Sequence, residues 1–167
     1  MLMDNNDILI RIRYALNLKD GQMLKIFKLG GVTLTEEEVR KMLIKSPDKG
    51  IFQDQEAEEN LKCNNRTLDA FLNGLIVYKR GQKEGQEPMQ PVAIKQNAVN
   101  NVVMKKLKIA LSLTGEDMLE ILALAGVQIS KSELSAVLRK EGQKNYKQCG
   151  DRYLRNFLKG LTLKPRL

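Results

Sequence analysis

The stretch Asn5-Asn6-Asp7-Ile8-Leu9-Ile10-Arg11-Ile12-Arg13-Tyr14-Ala15-Leu16 returns 95 positions later as Asn100-Asn101-Val102-Val103-Met104-Lys105-Lys106-Leu107-Lys108-Ile109-Ala110-Leu111. At the same offset Met23-Leu24 and Ile26 meet Met118-Leu119 and Ile121, Gly31-Val32 meets Gly126-Val127, and Glu38 meets Glu133. In all, 13 of the 39 positions from 5 to 43 are identical, and further pairs exchange one apolar residue for another, such as Ile8/Val103, Ile12/Leu107 and Val39/Leu134. Beyond a shorter loop the offset becomes 86. Cys63, Arg66, Leu68, Phe71, Leu72, Gly74 and Leu75 then meet Cys149, Arg152, Leu154, Phe157, Leu158, Gly160 and Leu161. Fixed offsets held over two long stretches mark an internal duplication.

Each copy reads as about four short helices. Ile8, Ile12 and Ala15, like Val103, Leu107 and Ala110, fall at i, i+4 and i+7, one apolar stripe of a helix. A second helix carries Met23, Leu24, Ile26 and Phe27, or Met118, Leu119, Ile121 and Leu122. It stops at Gly31 or Gly126, where glycine allows a left-handed terminal residue. Thr35 with Glu38 and Ser130 with Glu133 have the capping-box spacing that opens a third. Leu68, Phe71, Leu72 and Leu75, matched by Leu154, Phe157, Leu158 and Leu161, stripe a fourth. No segment sustains strand alternation. The expected fold is all-α: two homologous repeats packed as a pseudo-symmetric helical bundle, because each is small for a core of its own. The expected divisions are an N-terminal repeat over 1–80, a linker over 81–95 rich in Gly, Pro and polar residues, and a basic C-terminal repeat over 96–167. Residues 46–62, which include Asp54, Glu56, Glu58 and Glu59, read as an acidic loop or the start of a further helix.

Composition narrows the chemistry. The 167 residues include no His, which excludes His-based acid–base catalysis, Ser-His and Cys-His nucleophile pairs and His-ligated metal. Two cysteines, Cys63 and Cys149, cannot complete a four-ligand zinc site. Matched across the duplication, they read as small buried hydrophobes at helix starts, with a reactive thiol as the sharper alternative. Gly30-Gly31 fits no phosphate-loop spacing. No apolar run is long enough to cross a membrane, and reduced thiols suit the cytoplasm. Gly74 and Gly160 point to close backbone packing or a helix end, and the two Asn-Asn pairs suit helix caps.

Several segments carry a family resemblance. In the first copy they are Asn5-Asn6-Asp7-Ile8-Leu9, Arg13-Tyr14-Ala15-Leu16, Ile26-Phe27-Lys28-Leu29-Gly30-Gly31 and Phe71-Leu72-Asn73-Gly74-Leu75-Ile76. In the second they are Ile129-Ser130-Lys131-Ser132-Glu133-Leu134-Ser135-Ala136, Asn145-Tyr146, Cys149-Gly150-Asp151 and Leu154-Arg155-Asn156-Phe157-Leu158-Lys159-Gly160-Leu161. Over nearly its whole length the chain resembles the YehS-like family of bacterial duplicated-domain proteins. The resemblance implies a bacterial cytoplasmic protein and carries no reaction with it.

The formal charge is +8 and unevenly spread: residues 1–80 balance at +1, residues 100–167 at +7. On a helical wheel Arg152, Arg155, Asn156 and Lys159 lie opposite the leucine stripe of the last helix, where the first copy has Arg66, Asp69, Ala70 and Asn73. Arg139, Lys140, Lys144, Tyr146 and Lys147 come just before. Such cations attract polyanions by releasing condensed counterions, arginine can grip a phosphate with two hydrogen bonds, and Tyr146 can stack on an unpaired base. The expected site is therefore Arg139, Lys140, Lys144, Tyr146, Lys147, Arg152, Arg155 and Lys159, in a non-catalytic protein that binds RNA, DNA or a ribonucleoprotein and requires no cofactor. The alternatives are a protein–protein adaptor or self-associating module, and a basic face that serves solubility alone. A helix-turn-helix at 118–139 has less behind it: its turn is long, and the equivalent helix in the first copy opens with three glutamates that phosphate would repel.

Overall fold

The computed structural model describes residues 3–44, 60–82, 84–85 and 87–164, so most of the acidic stretch 46–62 lies outside the described residues. Among the described residues all regular structure is helical. The first copy holds α1 (Asn5–Leu16), α2 (Asp20–Leu29), α3 (Glu36–Met42) and α4 (Asn65–Arg80). A 3-10 turn (Gln96–Ala98) leads into α5 (Val99–Ala110), α6 (Gly115–Leu124), α7 (Lys131–Leu138) and α8 (Asp151–Leu163). None of these helices is long and apolar enough to cross a membrane.

The duplication organises the packing. α2 packs on α4 as α6 packs on α8, and α3 lies on α2 as α7 lies on α6. The copies then exchange contacts reciprocally: α4 packs on α5, and α1 packs on α8. With the lesser contacts α1–α4 and α5–α8, the four helices α1, α4, α5 and α8 form a ring. This is the pseudo-two-fold arrangement expected of two small repeats that cannot each bury enough apolar surface. One continuous core runs through both, with Ile8, Phe27, Phe71 and Leu72 in the first copy and Val103, Leu107, Phe157 and Leu158 in the second. Phe27 and Phe71 join α2 to α4 with ring centroids 4.9 Å apart, a contact worth about 0.5–1.5 kcal/mol beyond the area it buries.

Local chemistry sets the helix ends. Gly31 and Gly126 follow α2 and α6 at φ 95° and 84°, the left-handed region. Thr35 and Glu38 form a full capping box at 3.1 and 3.0 Å. Ser130 accepts from the Glu133 N–H at 3.1 Å without the return bond, so that box is half made. A complete one that the sequence reading missed opens α6, from Thr114 and Asp117.

The asparagine pairs are not helix caps: Asp4 caps α1, and α5 follows Ala98. They clamp the chain that enters the last helix of each copy. Asn6 takes the Cys63 N–H at 2.8 Å and donates to the Leu61 carbonyl at 2.9 Å. Asn101 takes the Cys149 N–H at 2.9 Å and donates to the Val137 and Lys147 carbonyls at 3.0 and 2.8 Å. Asn5 and Asn100 hold the Cys63 and Cys149 carbonyls at 3.0 and 3.1 Å. Each clamp satisfies backbone groups that burial would otherwise leave unpaired, which explains why both asparagines of each pair recur. Cys63 and Cys149 are buried inside the clamps as free thiols. Burial, helped by Asp4 for one and Asp151 for the other, pushes both thiols up to about 12, so neither has the thiolate character of a reactive cysteine.

The linker is docked over its second half. α4 continues to Arg80, Ile94 is buried, its carbonyl accepts from Asn65 at 2.7 Å, and the Val92 N–H donates to Asp69 at 2.9 Å.

Candidate nucleic-acid interface

At the end of α7 the chain leaves the helix extended at Arg139 and folds back through Gly142 (φ 92°) and Asn145 (φ 66°). The Lys140 N–H donates to the Gln143 side chain at 3.0 Å, and the Tyr146 N–H to the Gln143 carbonyl at 3.1 Å. Arg139 donates to the Lys144 carbonyl, and the Lys147 N–H reaches back to Ala136 at 3.1 Å. Gly142 at positive φ is what lets the loop close. The result is a fixed ridge bearing Arg139 and Lys140.

Two recesses adjoin that ridge. The first, about 840 Å³, lies between α5, α6 and α7 and brings Arg139 and Lys140 together with Lys105, Lys108 and Lys131. Among the described residues lining it, Glu116 is the single carboxylate, and Lys131 reaches it at 3.5 Å. The second, about 570 Å³, lies between α5 and the docked linker. It shares Lys105, Arg139 and Lys140 and adds Tyr146 beside Val92, Ile94, Val102 and Ile109. Asp69 and Glu141 also line it; Asp69 is engaged by Lys106, and Glu141 lies 4.0 Å from Lys95. Partial burial, with Glu141 and Cys149 adding to it, holds the Tyr146 phenol above its usual range, so the ring stays neutral at physiological pH. One side of the ridge thus offers cations, and the other an apolar floor with an aromatic ring.

The eight expected residues therefore separate into groups. Arg139, Lys140 and Tyr146 meet on the ridge. Lys144 and Lys147 are exposed on the loop behind it, outside both recess linings. Arg152, Arg155 and Lys159 line neither recess. The helical wheel placed the last three on an outward face of α8, which the structure bears out for Arg152 and Lys159 and corrects for Arg155. The counterpart of that face on α4 is the inter-repeat seam, where Asp69, Ala70 and Asn73 are buried. Arg152 and Lys159 are exposed, whereas Arg155 is half-buried with its Nε covered and unbonded. Among the described residues none of the eight is held in an ion pair.

Lys105, Lys108 and Lys131 were missed by the sequence reading, though a signal existed. Across the duplication Lys105 stands opposite Ile10 and Lys131 opposite Glu36. Two charge-raising exchanges thus coincide on one recess. Among the described residues no group of three or more Cys, Asp or Glu side chains is placed to hold a metal ion.

The family model described as "Protein of unknown function (DUF1456)" matches residues 5–81 and again residues 100–166, the two copies described above. A curated relative from Escherichia coli (strain K12), Uncharacterized protein YehS, is 38% identical over 158 residues, covering 95% of this chain and 94% of its own length. No solved structure matches the chain.

Proposed function

We propose that this chain, which belongs to the DUF1456 family, is a non-catalytic cytoplasmic module that binds single-stranded nucleic acid along the Arg139–Lys140 ridge. The observation that carries this reading is the pairing of the two recesses. Lys105, Lys108, Lys131, Arg139 and Lys140 line one recess, which suits a strand's phosphates, and Tyr146 lines the other beside apolar side chains, which suits a stacked base. An unpaired strand suits this better than a duplex, because stacking on Tyr146 requires a base free of its partner. The first copy supports the contrast: its positions equivalent to Lys105, Lys108 and Lys131 are Ile10, Arg13 and Glu36, which offer phosphate no net attraction.

The test is fluorescence anisotropy of a labelled single-stranded oligonucleotide across a salt series. With about four phosphates neutralised, log affinity falls against log salt with a slope of roughly −3, at about −0.7 per contact. Lys105→Glu with Lys140→Glu weakens binding by at least about tenfold and flattens the slope by roughly 1.4. Both side chains are exposed, so the fold tolerates the change. Arg152→Glu with Lys159→Glu, away from the ridge, leaves affinity within about twofold by this account. Absence of salt-sensitive binding, or equal losses in the two variants, contradicts it.

A further inference from the structure

The outward faces of α2 and α6 occupy equivalent places in the two copies, and their charges are opposite. On α2 the exposed residues Gly21, Lys25, Lys28 and Leu29 fall at i, i+4, i+7 and i+8, one face of a helix. The offset of 95 places Glu116, Glu120, Ala123 and Leu124 at the same four positions of α6, and all four are exposed there too. The face thus carries two lysines in the first copy and two glutamates in the second. Each ends on an exposed leucine, Leu29 at 39% and Leu124 at 47%. The interior sides of the two helices match, Met23 and Ile26 against Met118 and Ile121, so packing within the chain does not ask for the reversal.

Beside the α2 face a groove of about 1030 Å³ runs between α2, the turn after it and the end of α4. Leu24, Leu29, Leu34 and Val77 line it together with Lys25 and Lys28, and no carboxylate is among the described residues lining it. On the second repeat Glu120, Ala123 and Leu124 border a smaller recess of about 470 Å³, which Lys164 also lines. Among the described residues Lys25, Lys28 and Glu120 are held in no ion pair. Asp20 at the start of α2 is taken by Arg13 at 2.9 Å. Glu116 lies 3.5 Å from Lys131 in a pair open to water, too weak to withdraw either charge.

We infer that the α2–α4 groove receives the α6 face of a second copy of this chain. An amphipathic helix laid in an apolar groove is held by anchors spaced one and two turns apart, the spacing of Glu116, Glu120, Ala123 and Leu124. Leu124 of the second copy covers the leucine floor, and its Glu120 meets Lys25 and Lys28. The opposite signs also choose the pairing, because two α2 faces repel each other and so do two α6 faces. The contact joins different surfaces of the two copies. Made reciprocally it closes a dimer, and made once per copy it extends head to tail. The groove and the smaller recess share no lining residue with the two recesses of the ridge, so the two contacts are independent.

Sedimentation equilibrium of the full chain tests this, at roughly 100 μM because a contact between two short faces belongs to the small, weak class of interfaces. At about 0.1 M salt a screening length near 10 Å damps the repulsion between two molecules of charge +8 and spares charges in contact. The average mass there exceeds the 19.0 kDa of one chain, and it falls toward that value at about 1 M salt. Lys25→Glu with Lys28→Ala gives α2 the charges of α6, and Glu120→Lys with Ala123→Lys gives α6 the charges of α2. All four positions are exposed, so both variants melt close to the parent. Each variant alone carries like signs on its two faces and associates at least about tenfold more weakly. An equimolar mixture of the two associates again, since each supplies the face that the other lacks. Lys105→Glu with Lys140→Glu associates as the parent does, which separates this contact from the ridge. A parent that stays monomeric overturns the inference, whatever other protein the groove takes. So do variants that associate as strongly as the parent, and variants that fail singly without recovering when mixed.

Discussion

Replacing Gly74 or Gly160 by alanine lowers the melting temperature by about 10 °C. The sign is the informative part, since alanine in a helix interior ordinarily stabilises by about 1 kcal/mol relative to glycine. A Cβ on Gly74 would lie 1.8 Å from the Ile26 carbonyl oxygen, and one on Gly160 would lie 2.0 Å from that of Ile121. These partners are backbone atoms of α2 and α6, so relief requires one helix to move away from another through a packed core. Overpacking of that kind costs about 3 kcal/mol or more, and a protein of this size loses roughly 2–4 °C for each kcal/mol. Circular dichroism melts of the two variants measure it. Gly115→Ala is the control: its Cβ would meet nothing within 4 Å, and it unfolds with the parent. Variants that melt with the parent contradict the close approach of α2 to α4 and of α6 to α8.

Lys106→Met is the second large loss, about 3–5 kcal/mol, because it strands the carboxylate of Asp69 with only the Val92 N–H for company. Asp69 is 1% exposed, whereas the Lys106 side chain keeps 23% exposure. Asp69→Asn is therefore the milder change, since the lysine it frees still reaches solvent and Asn73. Removing both partners, as Asp69→Leu with Lys106→Met, costs less than the two single losses added together. A double-mutant cycle in urea reads that coupling directly. The equivalent change on the other seam, Arg11→Met, costs under about 1 kcal/mol, as expected of a pair partly open to water. Equal costs at Lys106 and Arg11 would show that the two seams are electrostatically alike.

The sequence carried the fold well, for a definite reason. Each apolar stripe appears twice, so chance periodicities are filtered by the second copy. The ends marked by Gly31 and Gly126, and the near approach at Gly74 and Gly160, follow from glycine at matched positions. What could not be read was which side of a helix faces the other copy. A helical wheel separates the leucine stripe of α8 from its polar side and cannot say that Arg155 on that polar side is half-buried. The polar stripe of α4, with Asp69 and Asn73, looks solvated for the same reason and is buried. The asparagine pairs suffered from a local bias: Asn near a helix start suggests a cap, while their partners at Cys63 and Cys149 lie some fifty residues away or more. Of the residues around the ridge, Arg139, Lys140 and Tyr146 were legible as a group because they lie close along the chain. Lys105, Lys108 and Lys131 were not, because only the fold brings α5 and the start of α7 beside them.

The central claim is that the second repeat alone uses its α5–α7 ridge to bind a nucleic-acid strand. Titration of the 15N-labelled chain with a short single-stranded oligonucleotide tests it residue by residue. Amide shifts confined to the neighbourhood of Lys105, Lys108, Lys131, Arg139, Lys140 and Tyr146, with Ile10, Arg13 and Glu36 unmoved, are the expected result. Shifts of equal size in the first repeat, or none on the ridge at an oligonucleotide concentration that saturates binding, would contradict it.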